Sequence, residues 1–251
     1  MAIQKTNAIV LKTMPFRSSS LIITFFTRDF GKVKGIAKGV RQERELRGTA
    51  FDLFTQVEII YYEKTRSELH LISDWMMLDA YPSLRKSLES ISFASYFCDL
   101  VDQLTEVHDP NEEIFCLLHD SFKYLSAIPS SRLARLFEIK LLELVGWLPH
   151  LDGCLTCDKK GMETGYFSAR QGALYCVVCA RNIQDAKLIS RETLHTLRFF
   201  SHHIFDEGLK LSLSGQAEKD LQAFMERFFL ERLSHPLKSK LFLNKIAHFI
   251  G

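Results

Sequence analysis

The stretch Asn7–Arg41, NAIVLKTMPFRSSSLIITFFTRDFGKVKGIAKGVR, decides how the first third of this 251-residue chain is read. Three runs rich in Ile, Val, Leu and Phe follow one another: AIVLKT (Ala8–Thr13), SLIITFF (Ser20–Phe26) and GKVKGIAKGV (Gly31–Val40). Short turn-like segments separate them, which is the pattern of successive strands and not of helices. In the third run, side-chain alternation puts Lys32 and Lys34 on one face and Val33, Gly35 and Ala37 on the other. Glycines at 31, 35 and 39 mark sharp bends or close backbone approach, as at the corners of a small closed barrel. Two further strand patterns, VEIIYYE (Val57–Glu63) and LHLIS (Leu69–Ser73), bring the total to five in about 75 residues. Five short strands of this kind predict a Greek-key barrel of the OB type over residues 1–80.

Outward from this region the periodicity changes. Residues 84–106, 111–127 and 131–148 carry apolar side chains at three- and four-residue spacing, most clearly Leu133, Leu136, Phe137, Leu141, Leu144 and Leu148. Ser130 or Ser131 caps the third of these helices and Pro149 ends it. Two more helices are expected at 190–206 and 215–233, and a short one at 237–249. The fold class is therefore α+β. An OB barrel is followed by an α-helical domain, residues 81–153 and 181–251, interrupted by a cysteine-rich module at 154–180.

That module holds four of the six cysteines, as Cys154-x-x-Cys157 and Cys176-x-x-Cys179. Two residues between ligands let both sulfurs of a pair reach one ion from a tight turn, and residues 158–175 can return as a hairpin carrying the second pair. This spacing predicts one structural Zn²⁺ per chain in a closed four-cysteine site. Four buried free thiols are the simpler alternative. A thioredoxin-like redox pair would need a βαβ setting, whereas here the motif follows a helix. The His-x-Glu…Pro-Cys-x-x-Cys arrangement of zinc deaminases is absent. Cys98 and Cys116 lie in helical patterns as core residues.

Charge is distributed unevenly. Residues 1–50 hold ten Lys/Arg against three acids, a local charge of +7. The whole chain carries only +2, so the remainder sums to −5. Such a region is either a solvated face or a nucleic-acid contact. Its cations ride on barrel strands beside Phe16, Phe25, Phe26 and Phe30, the combination of phosphate-tracking charge and stacking rings that holds single-stranded nucleic acid. The candidate DNA-contacting residues are Lys12, Arg17, Arg28, Lys32, Lys34, Lys38, Arg41, Arg44 and Arg47.

The helix around Leu221–Leu233 is more apolar than one buried stripe requires. It is either buried on two sides or offers a groove to a short apolar peptide, with Phe224, Arg227, Phe228 and Arg232 as candidate partner-binding residues. No phosphate-cradling glycine loop, dinucleotide fingerprint, zinc-protease motif or nucleophile elbow occurs, so the chain reads as a non-enzyme. His202–His203 reads as exposed polar residues, and Glu112–Glu113 as the acidic first turn of a helix. With no apolar run of about 18 residues and no secretory pattern, a cytoplasmic location without membrane contact is expected.

The quoted Asn7–Arg41 segment, LFEIKLLELVGWLPHLDGCLTC (Leu136–Cys157) and FSARQGALYCVVC (Phe167–Cys179) together resemble the RecO family of bacterial recombination mediators, in matching order along the chain. Ser18 and Gln171 depart from the family pattern without removing a metal ligand. The resemblance implies binding of single- and double-stranded DNA and annealing of complementary strands. It implies partnership with RecR, with RecF, and with the C-terminal tail of single-stranded-DNA-binding protein, so that RecA is loaded indirectly, in association with the nucleoid. The rival class is a zinc-ribbon DNA-binding transcription regulator.

Overall fold

A computed structural model describes residues 2–40, 51–64, 67–128 and 130–243. The chain divides into two compact units, Met1–Ser130 with Leu237–Gly251, and Ser131–Pro236. A division by element type, at 80/81 and around 154–180, cuts across these units. The barrel shares its unit with the first helices and the chain's last residues, and the cysteines share theirs with the later helices.

In the first unit, β1 (Ile3–Phe16), β2 (Ser20–Thr27), β3 (Gly31–Ala37), β4 (Gln56–Tyr62) and β5 (Leu69–Asp79) close into a barrel in the order β1-β2-β3-β5-β4. Strand β1 is long enough to serve two neighbours. Its first half pairs with β4 and its second half with β2, with a bulge between Val10 and Lys12. Strands β3 and β5 run parallel and complete the closure. This is the OB arrangement, and it leaves no open sheet edge to template aggregation. Alternation along β4 sends Val57, Ile59 and Tyr61 inward, where they meet Val10, Ile23, Phe25, Val33 and Ile72. Gly31 has φ +63, and a β-carbon there would meet the Asp109 carbonyl oxygen at 2.0 Å. Both backbone geometry and close approach therefore demand glycine at this corner.

Helix α1 (Leu88–Leu104) starts after a 3₁₀ turn at Leu84–Lys86, with the Ser87 side chain accepting from the Ser90 amide. Helix α2 (Glu112–Tyr124) is capped by Asn111, and Glu112 and Glu113 occupy its first turn, where negative charge suits the helix dipole. A helical stretch at 238–243 returns to this unit, where the Ser239 hydroxyl and amide both donate to Asp99.

In the second unit, α3 (Ser130–Leu144) buries Leu133, Leu136, Phe137 and Leu141. The helix stops at Leu144 and not at Pro149. Gly146 adopts φ +73, and the Trp147 amide reaches back to the Leu142 carbonyl, a glycine-dependent C-cap that terminates the helix first. Leu148 is consequently exposed. A small sheet follows, β6 (Gly165–Ser168), β7 (Ala173–Tyr175) and β8 (Lys187–Ile189), in the order β7-β6-β8. Helices α4 (Arg191–His202), α5 (Phe205–Lys210) and α6 (Gly215–Leu230) complete the unit, with α4 and α6 capped by Ser190 and Ser214. Among the described residues no helix is long and apolar enough to cross a membrane.

Candidate metal centre and nucleic-acid face

The four cysteines predicted to act together do converge. Their sulfurs all lie within 4.8 Å of one another, and Cys157 and Cys176 approach to 3.8 Å. Tetrahedral ligation at a metal–sulfur length near 2.3 Å separates sulfurs by about 3.8 Å, so the donor set is close to what an ion held by four thiolates requires. Local backbone geometry explains the fit. After Cys154 the chain turns back at once: the Asp158 amide donates to the Cys154 carbonyl, and the Cys154 amide to the Lys159 carbonyl. In the second knuckle the Cys179 amide donates to the Cys176 sulfur at 3.5 Å. The connecting β6–β7 hairpin brings the pairs together, and the Leu155 amide bonds to the Leu174 carbonyl to lock the first knuckle onto it. From α4, Arg198 donates to the Leu151 and Met162 carbonyls, clamping both flanks of that knuckle.

Thiolate character is concentrated on the two buried sulfurs. Burial works to raise the Cys154 thiol, but hydrogen bonds from the Cys176, Cys157 and Thr156 backbones overcome it and bring it to about 6. The Cys179 amide lowers Cys176, while Cys179 itself, hydrogen-bonded to Cys176, is pushed up to about 12. Four thiols this close cannot all ionise without a cation among them, which is the electrostatic case for a metal.

The predicted cationic residues separate into two groups. At the α1 side of the barrel, Lys32 is buried, and its ammonium donates to the Asp102 and Thr105 carbonyls at 2.5 and 2.7 Å and lies 3.4 Å from the Asp102 carboxylate. Lys12 pairs with the same carboxylate at 2.5 Å and with Asp99 at 3.5 Å. Burial opposes charge on both partners and the pairing overcomes it, so the Lys12 ammonium is raised and the Asp102 carboxyl is held below its usual range. Arg28 is forked onto Glu112 of α2, and Lys34 lies 3.6 Å from Glu68.

Lys32 is thus a structural cation that satisfies the last carbonyls of α1, and its placement on the solvent face of β3 by simple alternation is corrected by the helix packed over that face. At the opposite end of β1–β3, Arg17 and Lys38 are exposed, and the Arg17 guanidinium lies over the Phe16 ring at 5.3 Å. Register places them together, because Leu21 of β2 pairs with Ala37 of β3 and Phe16 with Ser20. Arg41, Arg44 and Arg47 lie outside the described residues.

Of the partner-binding candidates, Phe224 and Phe228 are core residues that pack on Phe167 of β6 with ring centroids 4.4 and 6.2 Å away. These two rings are consumed internally and line no surface groove, while Leu230 at the end of α6 is exposed. Arg227 is half-buried. Arg232 lines a cleft of about 420 Å³ with Trp147, Leu148, His150, Leu155 and Gln171. Its guanidinium donates to the Ala169 carbonyl at 2.9 Å and lies over the Phe228 ring at 4.3 Å. Gly172 makes this possible: at φ +66, a β-carbon would strike Arg232 at 2.1 Å. No spacing pattern in the sequence joins Trp147 and Leu155 to Arg232, so the cleft is visible only in the fold.

Fold and site together define an OB-barrel protein whose second unit carries four thiols arranged to hold a metal ion. The family model for the recombination protein O N terminus matches residues 1–81, and that for its C terminus matches residues 85–241. The chain belongs to the RecO family, whose role is in DNA repair and recombination. It is 34% identical to the DNA repair protein RecO of Syntrophus aciditrophicus, across 98% of this chain and 96% of the relative. Identity to the DNA repair protein RecO of Thermoanaerobacter sp. is 27%, across 99% of this chain and all of the relative. For that of Pelotomaculum thermopropionicum it is 28%, across 98% and 96%.

Proposed function

We propose that this chain is a non-enzymatic recombination mediator that binds and anneals single-stranded DNA and helps RecA load onto strands covered by single-stranded-DNA-binding protein. The observation that carries the reading is a closed OB barrel with exposed cations and an aromatic ring gathered at its β1–β2 turn, in a chain that is RecO-like from end to end. Phosphates track Arg17 and Lys38, while Lys12, Arg28 and Lys32 hold the helices to the barrel. Double-stranded DNA uses the same charge. The ion at Cys154, Cys157, Cys176 and Cys179 is a structural Zn²⁺: four thiolates fill a tetrahedral shell and leave no position for substrate.

The partners in this reading are RecR, RecF and the acidic, apolar tail of single-stranded-DNA-binding protein, in the cytoplasm at the nucleoid. The tail docks in the Arg232 cleft, where Trp147, Leu148 and Leu155 offer exposed apolar surface beside a guanidinium that suits a terminal carboxylate. A titration of single-stranded DNA at several salt concentrations, with zinc measured on the same sample, tests the whole. Tight, salt-sensitive binding with one zinc per chain is expected. Preference for one duplex sequence over single strands would instead make the chain a zinc-ribbon transcription regulator.

A further inference from the structure

His70 of β5 is only 1% exposed, and its ring stacks on Tyr61 of β4 with centroids 5.3 Å apart. The Lys64 amide donates to its Nδ1 at 3.2 Å. An acceptor nitrogen carries no proton, so the neutral ring holds its hydrogen on Nε2. That Nε2 lies 3.4 Å from Nε2 of His108, which must then accept and keep its own hydrogen on Nδ1. His108 sits in the loop between α1 and α2 at φ 60. The loop is laid on β3: the His108 amide donates to the Lys32 carbonyl, Val107 bridges Lys32, and Asp109 fills the space left by Gly31. One imidazole pair closes this seam from the β5 side.

A separation of 3.4 Å also suits two ligands of one tetrahedral metal ion, about 3.3 Å apart at metal–nitrogen lengths near 2.05 Å. Ligation through both Nε2 atoms would need His70 to carry its hydrogen on Nδ1, and the Lys64 amide occupies that lone pair. The tautomers favour a hydrogen bond.

We infer that His70 and His108 form a proton-sensitive latch that holds the α1–α2 loop on the barrel while both rings are neutral. A proton added to His108 lands on Nε2 and sets N–H against N–H. A proton added to His70 lands on Nδ1, against the Lys64 amide. Either one breaks a bond of the latch. Charged groups also face the pair. Asp29, Glu63, Lys64 and Glu68 line an adjoining cavity of about 580 Å³, and Glu106 and Asp109 belong to the loop itself. Asp29 already accepts from Thr6, Glu63 accepts from Gln4, and Glu68 pairs with Lys34. Burial lowers the His70 pKa, proximity to His108 lowers it further, and the opposing pull of Glu63 does not cancel them. The released ring takes up a proton near its ordinary pKa of about 6.5 and the latched ring resists it, so the latch is strongest above that pH and weakens as pH falls below it.

Long-range ¹⁵N–¹H spectra of the full chain at about pH 7.5, a unit above that ordinary value, should show His70 protonated on Nε2 and His108 on Nδ1. Hydrogen exchange of the His108 amide, corrected for its intrinsic rate, should accelerate by up to about tenfold for each pH unit below about 6.5. In His108→Gln the side-chain oxygen takes the place of Nε2, still accepts from His70 and cannot be protonated, so the acceleration should be reduced to the part due to His70 while protection at neutral pH is retained. Finding His70 protonated on Nδ1 would overturn the latch, as would equal pH dependence in wild type and His108→Gln.

Discussion

The two units solve the same problem, holding a small sheet together, with different means. In the first, strands of 14, 8, 7, 7 and 11 residues close on themselves around a shared core that includes Phe25, Val33, Ile59 and Tyr61. In the second, strands of 4, 3 and 3 residues carry too few side chains to bury a core of their own. There, four thiols, an arginine clamp from α4 and the rings of α6 supply the cohesion. Strand length therefore decides where a bound ion would add most, and the cysteines that could hold one sit where the strands are shortest.

The largest expected effect breaks the comparison at its candidate metal site. Cys176→Ser should abolish zinc binding and unfold the second unit's sheet, because metal binding at such a site is itself folding free energy, on the order of 10 kcal/mol. Unfolding followed by hydrogen exchange should show β6 and β7 unprotected while β1–β5 keep their protection. A variant without zinc and with both sheets protected would mean that the short strands stand alone.

The matching break in the first unit is Lys32→Met, which strips the buried partner from Asp102 and from the end of α1. A loss of about 3 kcal/mol is expected in urea unfolding, since a buried pair is broken from one side. The pairing also has an acid limit. Asp102 is held below its usual range, so its contribution is complete above its unfolded pKa near 3.8 and is lost as pH falls through the lower folded value. Circular dichroism between about pH 5 and about pH 2 should show that loss in wild type, and a smaller one in Asp102→Asn.

Gly172→Ala tests the seam between α6 and the hairpin. A left-handed alanine that also displaces Arg232 should cost about 1–2 kcal/mol and weaken binding of the labelled tail peptide. Arg232→Glu should reduce peptide affinity further. Unchanged anisotropy titrations with both folded variants would move the tail elsewhere on the chain.

The smallest effect on stability, and the most direct on function, comes from Arg17→Ala and Lys38→Ala. Both side chains are exposed, so melting should change by no more than about 0.5 kcal/mol. Each should reduce the salt dependence of single-stranded DNA binding by about 0.7 in slope. Lys12→Ala, whose partner is Asp102, should leave that slope nearly unchanged. A reversed order would place the phosphates across α1 and not at the β1–β2 turn.

What the sequence determined by itself was local and repetitive. Runs rich in Ile, Val, Phe and Tyr between turn-like segments from Ala8 to Ser73 specified five strands, and paired Cys-x-x-Cys turns specified four converging sulfurs, because both signals lie within a few residues of the groups they organise. Helix α3 was legible in its apolar stripe. Its end was misplaced because the left-handed Gly146 stops the helix before Pro149 is reached, while the apolar spacing runs on to Leu148. Tertiary structure decided which acid each paired cation meets. Lys12 and Lys32 meet Asp102 across about ninety and seventy residues of chain, Arg28 meets Glu112 across eighty-four, and no periodicity encodes such pairings. The same holds for His70 with His108 and for Arg232 with Gly172 and Trp147. An ion pair or a shared proton depends on distance in space, and charge counted along the chain carries no information about it until the barrel has closed and the helices have packed upon it.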